Sequence, residues 1–216
     1  MGKVIPTVFA HSTAEFKVRF ARLVKIAPAL QIDFMDGVLV PAKSMPLSVV
    51  PDLRRYKKIR FEAHLMVANP KKWIARCRKK GFKKIIVHVE ALKDREEGMK
   101  IIKEIKKQSM QALLALHADT PLAHLEPYLN SVYGVLVMGI HAGKEHQSLN
   151  TNTTKRISAL KKKHKNLWVQ VDGGVNAKTI GRLARAGVDA VNSGSFVSEA
   201  EKPREALKLL EERFRE

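Results

Sequence analysis

Carboxylates, imidazoles and glycine pairs recur in this chain at the ends of short apolar runs. Gln31-Ile32-Asp33-Phe34-Met35-Asp36-Gly37 closes one run and Ala63-His64-Leu65-Met66 another, while Val171-Asp172-Gly173-Gly174-Val175 and Asn192-Ser193-Gly194-Ser195 close two near the C-terminus. Side chains of these types move protons and ligate divalent ions, and glycine lets backbone amides approach an anion closely. An Asp-Gly-Gly or a His-Leu-Met arises by chance in many sequences. The informative question is whether one fold carries several such ends to a single place.

The elements that would position them are legible from periodicity. Short runs rich in β-branched residues alternate with longer amphipathic stretches along the whole chain. The spacing predicts strands over Val4–Val8, Ala29–Asp33, Arg60–Met66, Lys84–His88, Gln111–Leu116, Gly134–Met138, Trp168–Asp172 and Ala190–Ser193. Several, such as Gly134-Val135-Leu136-Val137-Met138, are continuously apolar, as expected where both faces of a parallel sheet are covered. Ser12 with Glu15 forms a capping-box pattern, Asn69-Pro70 opens a helix that stops at Gly81, and Asp119-Thr120-Pro121 and Asn176 open two more. Gly187 ends one helix, and the last helix is expected over Lys202–Arg215. No linker or composition shift divides residues 1–216, so the reading is one α/β domain, a (β/α)8 TIM barrel, whose active site belongs at the C-terminal ends of the strands. An open doubly wound sheet is the rival, but no G-x-G-x-x-G or P-loop pattern supports a nucleotide site.

Composition narrows the classes. No apolar run reaches the ~20 residues of a membrane span, and Met1-Gly2-Lys3 leads into no signal-peptide stretch, so the expectation is a soluble cytoplasmic protein. Cys77 has no partner for an internal disulfide and reads as structural. Forty Lys and Arg against 21 Asp and Glu give a formal charge of +19. The basic residues cluster as Lys71-Lys72, Arg76, Arg78-Lys79-Lys80, Lys83-Lys84, Lys106-Lys107 and Lys161-Lys162-Lys163, which suits solvent faces of helices. With 6% aromatic content and no basic segment interleaved with aromatics, a nucleic-acid partner is disfavoured. A phosphorylated metabolite would be steered toward such a surface.

At this point the ordered set Asp33-x-Met35-Asp36-Gly37, His64-Leu65-Met66, Val87-His88-x-Glu90, Val137-Met138 and Asp172-Gly173-Gly174-Val175-Asn176 resembles the ribulose-phosphate 3-epimerase family in order and spacing. Ile5-Pro6-Thr7, Thr120-Pro121-Leu122 and Ala186-Gly187-Val188-Asp189 extend the resemblance over nearly the whole chain. It implies an isomerase of pentose phosphate metabolism that epimerises ribulose 5-phosphate and xylulose 5-phosphate by proton transfer through an enediolate. By similarity, Asp33 and Asp172 would exchange the roles of base and acid on opposite faces of the substrate.

The resemblance also implies one divalent metal ion (Fe2+, Zn2+, Mn2+, Co2+ or Mg2+) at Gln31, Asp33, His64 and Asp172. Gln31 departs from the family's histidine, and a neutral amide is a poorer ligand for zinc or ferrous iron than imidazole. His141 lies beyond strand six with a route toward that position, against the plainer reading of an exposed loop histidine. Thr7, Met35, His64, Met66 and Met138 are the implied substrate contacts. Gly143, Gly173, Gly174, Gly194 and Ser195 are the implied phosphate contacts, although Ala142-Gly143-Lys144-Glu145-His146-Gln147 keeps one glycine where the family has a glycine-rich lid. Lys144 could supply charge there instead. His88 and Glu90 read as braces of the rim, His117 as a residue near the mouth, and His11, His124 and His164 as exposed. A homo-oligomer suits the family. Two further readings stay open: another keto-sugar phosphate as substrate, or a catalytically weakened barrel that binds anions or nucleic acid.

Overall fold

A computed structural model describes residues 2–216. Eight strands pair in sequence order, every pairing is parallel, and β8 returns to β1 to close the barrel. The strands are β1 (Lys3–Val8), β2 (Ala29–Met35), β3 (Arg60–Met66), β4 (Lys84–His88), β5 (Gln111–Leu116), β6 (Gly134–Met138), β7 (Trp168–Asp172) and β8 (Ala190–Ser193). β2 runs two residues beyond the expected Asp33, because Phe34 and Met35 pair in register with Leu65 and Met66 of β3. The outward side chains of the strands pack with the helices in the main apolar cluster, which holds Ile32, Phe34, Leu65, Ile85, Leu114, Val137 and Val171.

Helices α1 (Thr13–Leu23), α2 (Ile74–Lys80), α3 (Arg95–Lys107), α4 (Thr153–Lys163) and α5 (Ile180–Arg185) lie between strands, and α6 (Ser195–Ser198) and α7 (Pro203–Arg213) follow β8. The Ser12 hydroxyl accepts from the Glu15 amide, and Glu15 accepts from the His11 amide, so the first helix is capped reciprocally. Asp94 caps α3 in the same way. Asn69-Pro70 opens a 3-10 turn, Pro70–Lys72, before α2 begins, and Gly81 ends α2 at φ +105, where a Cβ would be strained. The segment after Thr120-Pro121 is a 3-10 helix, Leu122–Ser131, instead of an α-helix. Pro127 sits inside it and has no amide hydrogen to continue an α ladder. Asn176 caps a turn, its side chain accepting from Lys178 and Thr179, and α5 begins three residues later than the Asn176 signal suggests.

Most of the basic clusters do face solvent, including Lys71, Lys72, Lys79, Lys106, Lys107 and Lys162. Lys84 does not. Side chains two apart on a strand share a face, so Gln31 with Asp33, Glu62 with His64, Lys84 with His88, and Gln170 with Asp172 all enter the barrel. Glu62, Lys84, Gln170 and Asn192 are buried there in one hydrogen-bonded group below the strand ends. No helix among the described residues is long and apolar enough to cross a membrane.

Candidate active site

A cavity of about 480 Å³ opens at the C-terminal ends of the strands. Its lining includes Thr7 from β1, Asp33 from β2, Met66 from β3, Met138 from β6 and Asp172 from β7. The loops after β6, β7 and β8 add Gly143, Gly173, Gly174, Gly194 and Ser195. Met35 does not reach this lining, since it packs beside Met66, Phe9 and Val40. His64 is also set back, fully buried behind the two aspartates. Thr7 buries a hydroxyl oxygen with no protein partner, so this group remains free to bond a ligand in the cavity it lines.

At the cavity floor, Asp33 and Asp172 are 5% and 7% exposed, and two buried carboxylates so close repel unless donors lie between them. Two donors do. The Gln31 Nε2 group donates to Asp33 Oδ1 at 2.9 Å and to Asp172 Oδ2 at 2.6 Å. His64 Nδ1 lies 3.3 Å and 3.1 Å from the same two oxygens. Burial, and then the charge of Asp172, push Asp33 up to about 6 despite the opposing pull of His64 and Gln31. Burial alone would lower the His64 pKa, but its bonds and charge contacts with Asp172 and Asp33 lift it to about 9.

Behind His64 the polarity continues outward. Its Nε2 lies 2.9 Å from Nε2 of His88, whose Nδ1 is 3.2 Å from Glu90 Oε2. Burial holds His88 neutral, with a pKa lowered to about 4. Burial would raise Glu90, yet its bonds with His88, Thr120 and the His117 amide outweigh that and hold it at about 2. A charged His64 therefore donates to His88, which donates to Glu90. His117 packs against His88 at a tilt of 40°, with ring centroids 4.5 Å apart, outside the cavity lining.

Asp33, His64 and Asp172 bring ligand atoms within 4.8 Å of one another, close enough to hold a metal ion. The fourth expected ligand is different: Gln31 turns its NH2 group toward the acids, and an amide nitrogen has no free lone pair to give a metal. With Gln31 in this orientation the four-residue set does not fit an ion. Nor does His141 replace it, being largely exposed and 3.5 Å from Asp119.

The outer end of the cavity carries the glycines, of which Gly143, Gly173 and Gly174 have φ of +91, +92 and +70. A Cβ on Gly174 would stand 2.7 Å from the Leu149 backbone, so only glycine lets these loops close here. A residue outside the expected set enters this end: Glu145 Oε1 is buried without a partner and faces Gly194. Its other oxygen accepts from Arg19 at 2.7 Å, and Arg19 also binds Glu15 and Glu199. Burial raises the Glu145 pKa. Sequence alone marked the loop but not this carboxylate, because its charge acquires meaning only when α1 brings Arg19 alongside. Cys77 is buried with its thiol pushed up to about 12, so it is inert at neutral pH.

The chain matches the Ribulose-phosphate 3 epimerase family over residues 3–198. The cytoplasmic isoform of ribulose-phosphate 3-epimerase from Oryza sativa subsp. japonica is 30% identical over 213 residues, covering 97% of this chain and 92% of the relative. The ribulose-phosphate 3-epimerase of Mycobacterium tuberculosis is 31% identical over 204 residues, covering 88% and 86%. Among solved structures, KGPDC from Streptococcus mutans, in a ligand complex, aligns with a TM-score of 0.79 at 11% identity over 99% and 97% of the two chains. The 3-hexulose-6-phosphate synthase of Salmonella typhimurium aligns at 0.73 and 14% over 98% of each. At those identities the likeness is one of fold.

The raised pKa of His64 has a measurable consequence. Protonation favours the folded state, so this contribution is fully present below about pH 6.5 and is lost as pH rises through about 9. The urea midpoint of the protein should fall across that window relative to His64→Gln, by an equivalent of about 1–3 kcal/mol. Parallel pH profiles for the two proteins would contradict the assignment.

Proposed function

The chain belongs to the ribulose-phosphate 3-epimerase family, and we propose that it is an isomerase interconverting ribulose 5-phosphate and xylulose 5-phosphate. The observation that carries this reading is the convergence of Asp33 and Asp172, from β2 and β7, on the floor of one cavity. Epimerisation beside a ketone needs a base on one face of the carbon and an acid on the other. A carboxyl raised to about 6 by burial and a neighbouring carboxylate can reach both protonation states near neutral pH.

In the proposed reaction the ionised aspartate takes the proton from the carbon beside the ketone, and an enediolate forms. The protonated aspartate returns a proton to the opposite face, leaving the two carboxyls with exchanged roles. Negative charge on the enediolate is offset by His64 in its charged form, and a buried cation acts strongly where water is excluded. Thr7 can bond a substrate oxygen, while Met66 and Met138 give an apolar lining that keeps the intermediate from water. A divalent ion, if bound, would supply Lewis-acid stabilisation from Asp33, His64 and Asp172. The orientation of Gln31 opposes it, and the steps above use only the chain's own groups.

Gly173, Gly174, Gly194 and Ser195, with Gly143 and Lys144 above them, are the proposed phosphate contacts. Glu145 stands in their midst, so an entering dianion meets a carboxylate. For phosphate to bind, Glu145 must leave or be protonated, which frees Arg19 from one of its three carboxylate partners while Glu15 and Glu199 still hold it.

Ribulose 5-phosphate turnover tests the two-aspartate assignment. Asp33→Asn and Asp172→Asn should each lose about 10³-fold or more in kcat, and the unaltered protein should incorporate solvent deuterium at the epimerised carbon. Either variant retaining a large share of the activity would contradict it. Glu145→Gln should lower KM for the phosphorylated substrate about 10-fold with little change in kcat, from removal of a like charge. A higher KM would make Glu145 a substrate contact instead of an obstacle.

A further inference from the structure

We infer that the side-chain amide of Gln31, held in one orientation by a buried relay from Lys84 through Gln170 and Asn192, takes the place of a divalent cation between Asp33 and Asp172. An amide can present either its oxygen or its NH2, and the choice here follows from donors that cannot accept. Lys84 Nζ and Trp168 Nε1 only donate, and both point at Gln170 Oε1, at 3.3 Å and 3.4 Å. That leaves Gln170 Nε2 with two hydrogens, one given to Glu62 Oε2 at 2.8 Å and one to Asn192 Oδ1 at 2.6 Å. Asn192 Nδ2 then faces Gln31 Oε1 at 2.9 Å, so Gln31 Nε2 must face the acids.

The reversed arrangement fails at the far end. Turning the Gln31 oxygen toward an ion sets its NH2 against the NH2 of Asn192, so Asn192 must turn, and then Gln170. A reversed Gln170 would aim its oxygen at the Glu62 carboxylate and its NH2 at the Lys84 ammonium. Lys84 cannot move away cheaply, because it is buried and bonds Glu62 at 2.6 Å. Every hydrogen of the two glutamine amides is used in the observed state, and none of these atoms is exposed enough for water to repair a mismatch. Gln31, Asn192, Gln170 and Lys84 are thus positioning residues whose joint effect is to offer the aspartates N–H donors where an ion would offer positive charge.

This inference rests on the epimerase reading only for its bearing on catalysis; the binding it concerns is measured without a sugar. The protein is dialysed against a chelator and titrated with Co2+, with uptake read by metal analysis and by the visible absorption of coordinated cobalt. The unaltered chain should take up no stoichiometric Co2+ at this site. Gln31→His, which supplies a lone pair, should bind one ion per chain, with affinity on the order of 100-fold higher. Gln170→Glu should also gain Co2+, because a carboxylate there accepts from Asn192 and so reverses Asn192 and Gln31 in turn. One Co2+ per unaltered chain, with an absorption lost in Asp33→Asn, would overturn the proposal. If Gln170→Glu binds no more than the unaltered chain while Gln31→His gains an ion, the relay is overturned as the cause. Because the unaltered chain alone can sink the idea, a variant that fails to fold does not protect it, and a protein inactive on ribulose 5-phosphate leaves the result equally readable.

Discussion

Two carboxylates buried a few ångströms apart are the constraint around which this barrel is organised. Left alone, Asp33 and Asp172 would repel each other in a low-dielectric setting and take up protons. Their neighbours counter this in two directions. His64 brings a positive charge from β3, steadied by His88 and Glu90 on β4 and its loop. Gln31 brings two N–H groups from β2, steadied by Asn192 on β8, Gln170 on β7 and Lys84 on β4. Five strands therefore contribute to one electrostatic balance, which links the closure of the barrel to the state of its acids.

Polar networks inside a barrel stabilise only when complete, since each unmatched buried group costs about 1–3 kcal/mol. Here Glu62 meets both Lys84 and Gln170, and Lys84 also sits 5.5 Å from the Trp168 ring. The arrangement is better understood as specifying one orientation of each amide than as adding net stability. The specification matters to the proposed reaction, because a glutamine that alternated between its two faces would present the aspartates with either a donor or an acceptor.

Much of this was legible in the residues. The eight strands follow from runs such as Ile85-Ile86-Val87, because a strand covered on both faces is continuously apolar, and the polar ends at Asp33, His64 and Asp172 mark the end of the barrel where the cavity opens. The buried group beneath has a fainter signal: Gln31, Glu62, Lys84 and Gln170 stand two or four residues before Asp33, His64, His88 and Asp172, and so on the same face of each strand. Lys84 is masked by Lys83 beside it, which is exposed, since a pair of lysines reads as surface. The orientation of Gln31 is beyond sequence altogether, since it depends on partners from three other strands. Glu145 and Arg19 are 126 residues apart, and only the barrel's closure brings them together.

The measurement closest to this account is the side-chain NH2 signal of Gln31 in 15N-labelled protein, assigned by its absence in Gln31→Ala. Held between two carboxylates, both protons should resonate well downfield of an exposed glutamine and exchange slowly with solvent, with or without Mn2+ present. Ordinary shifts with rapid exchange, or broadening of the signal by stoichiometric Mn2+, would mean that the amide does not occupy the space between Asp33 and Asp172.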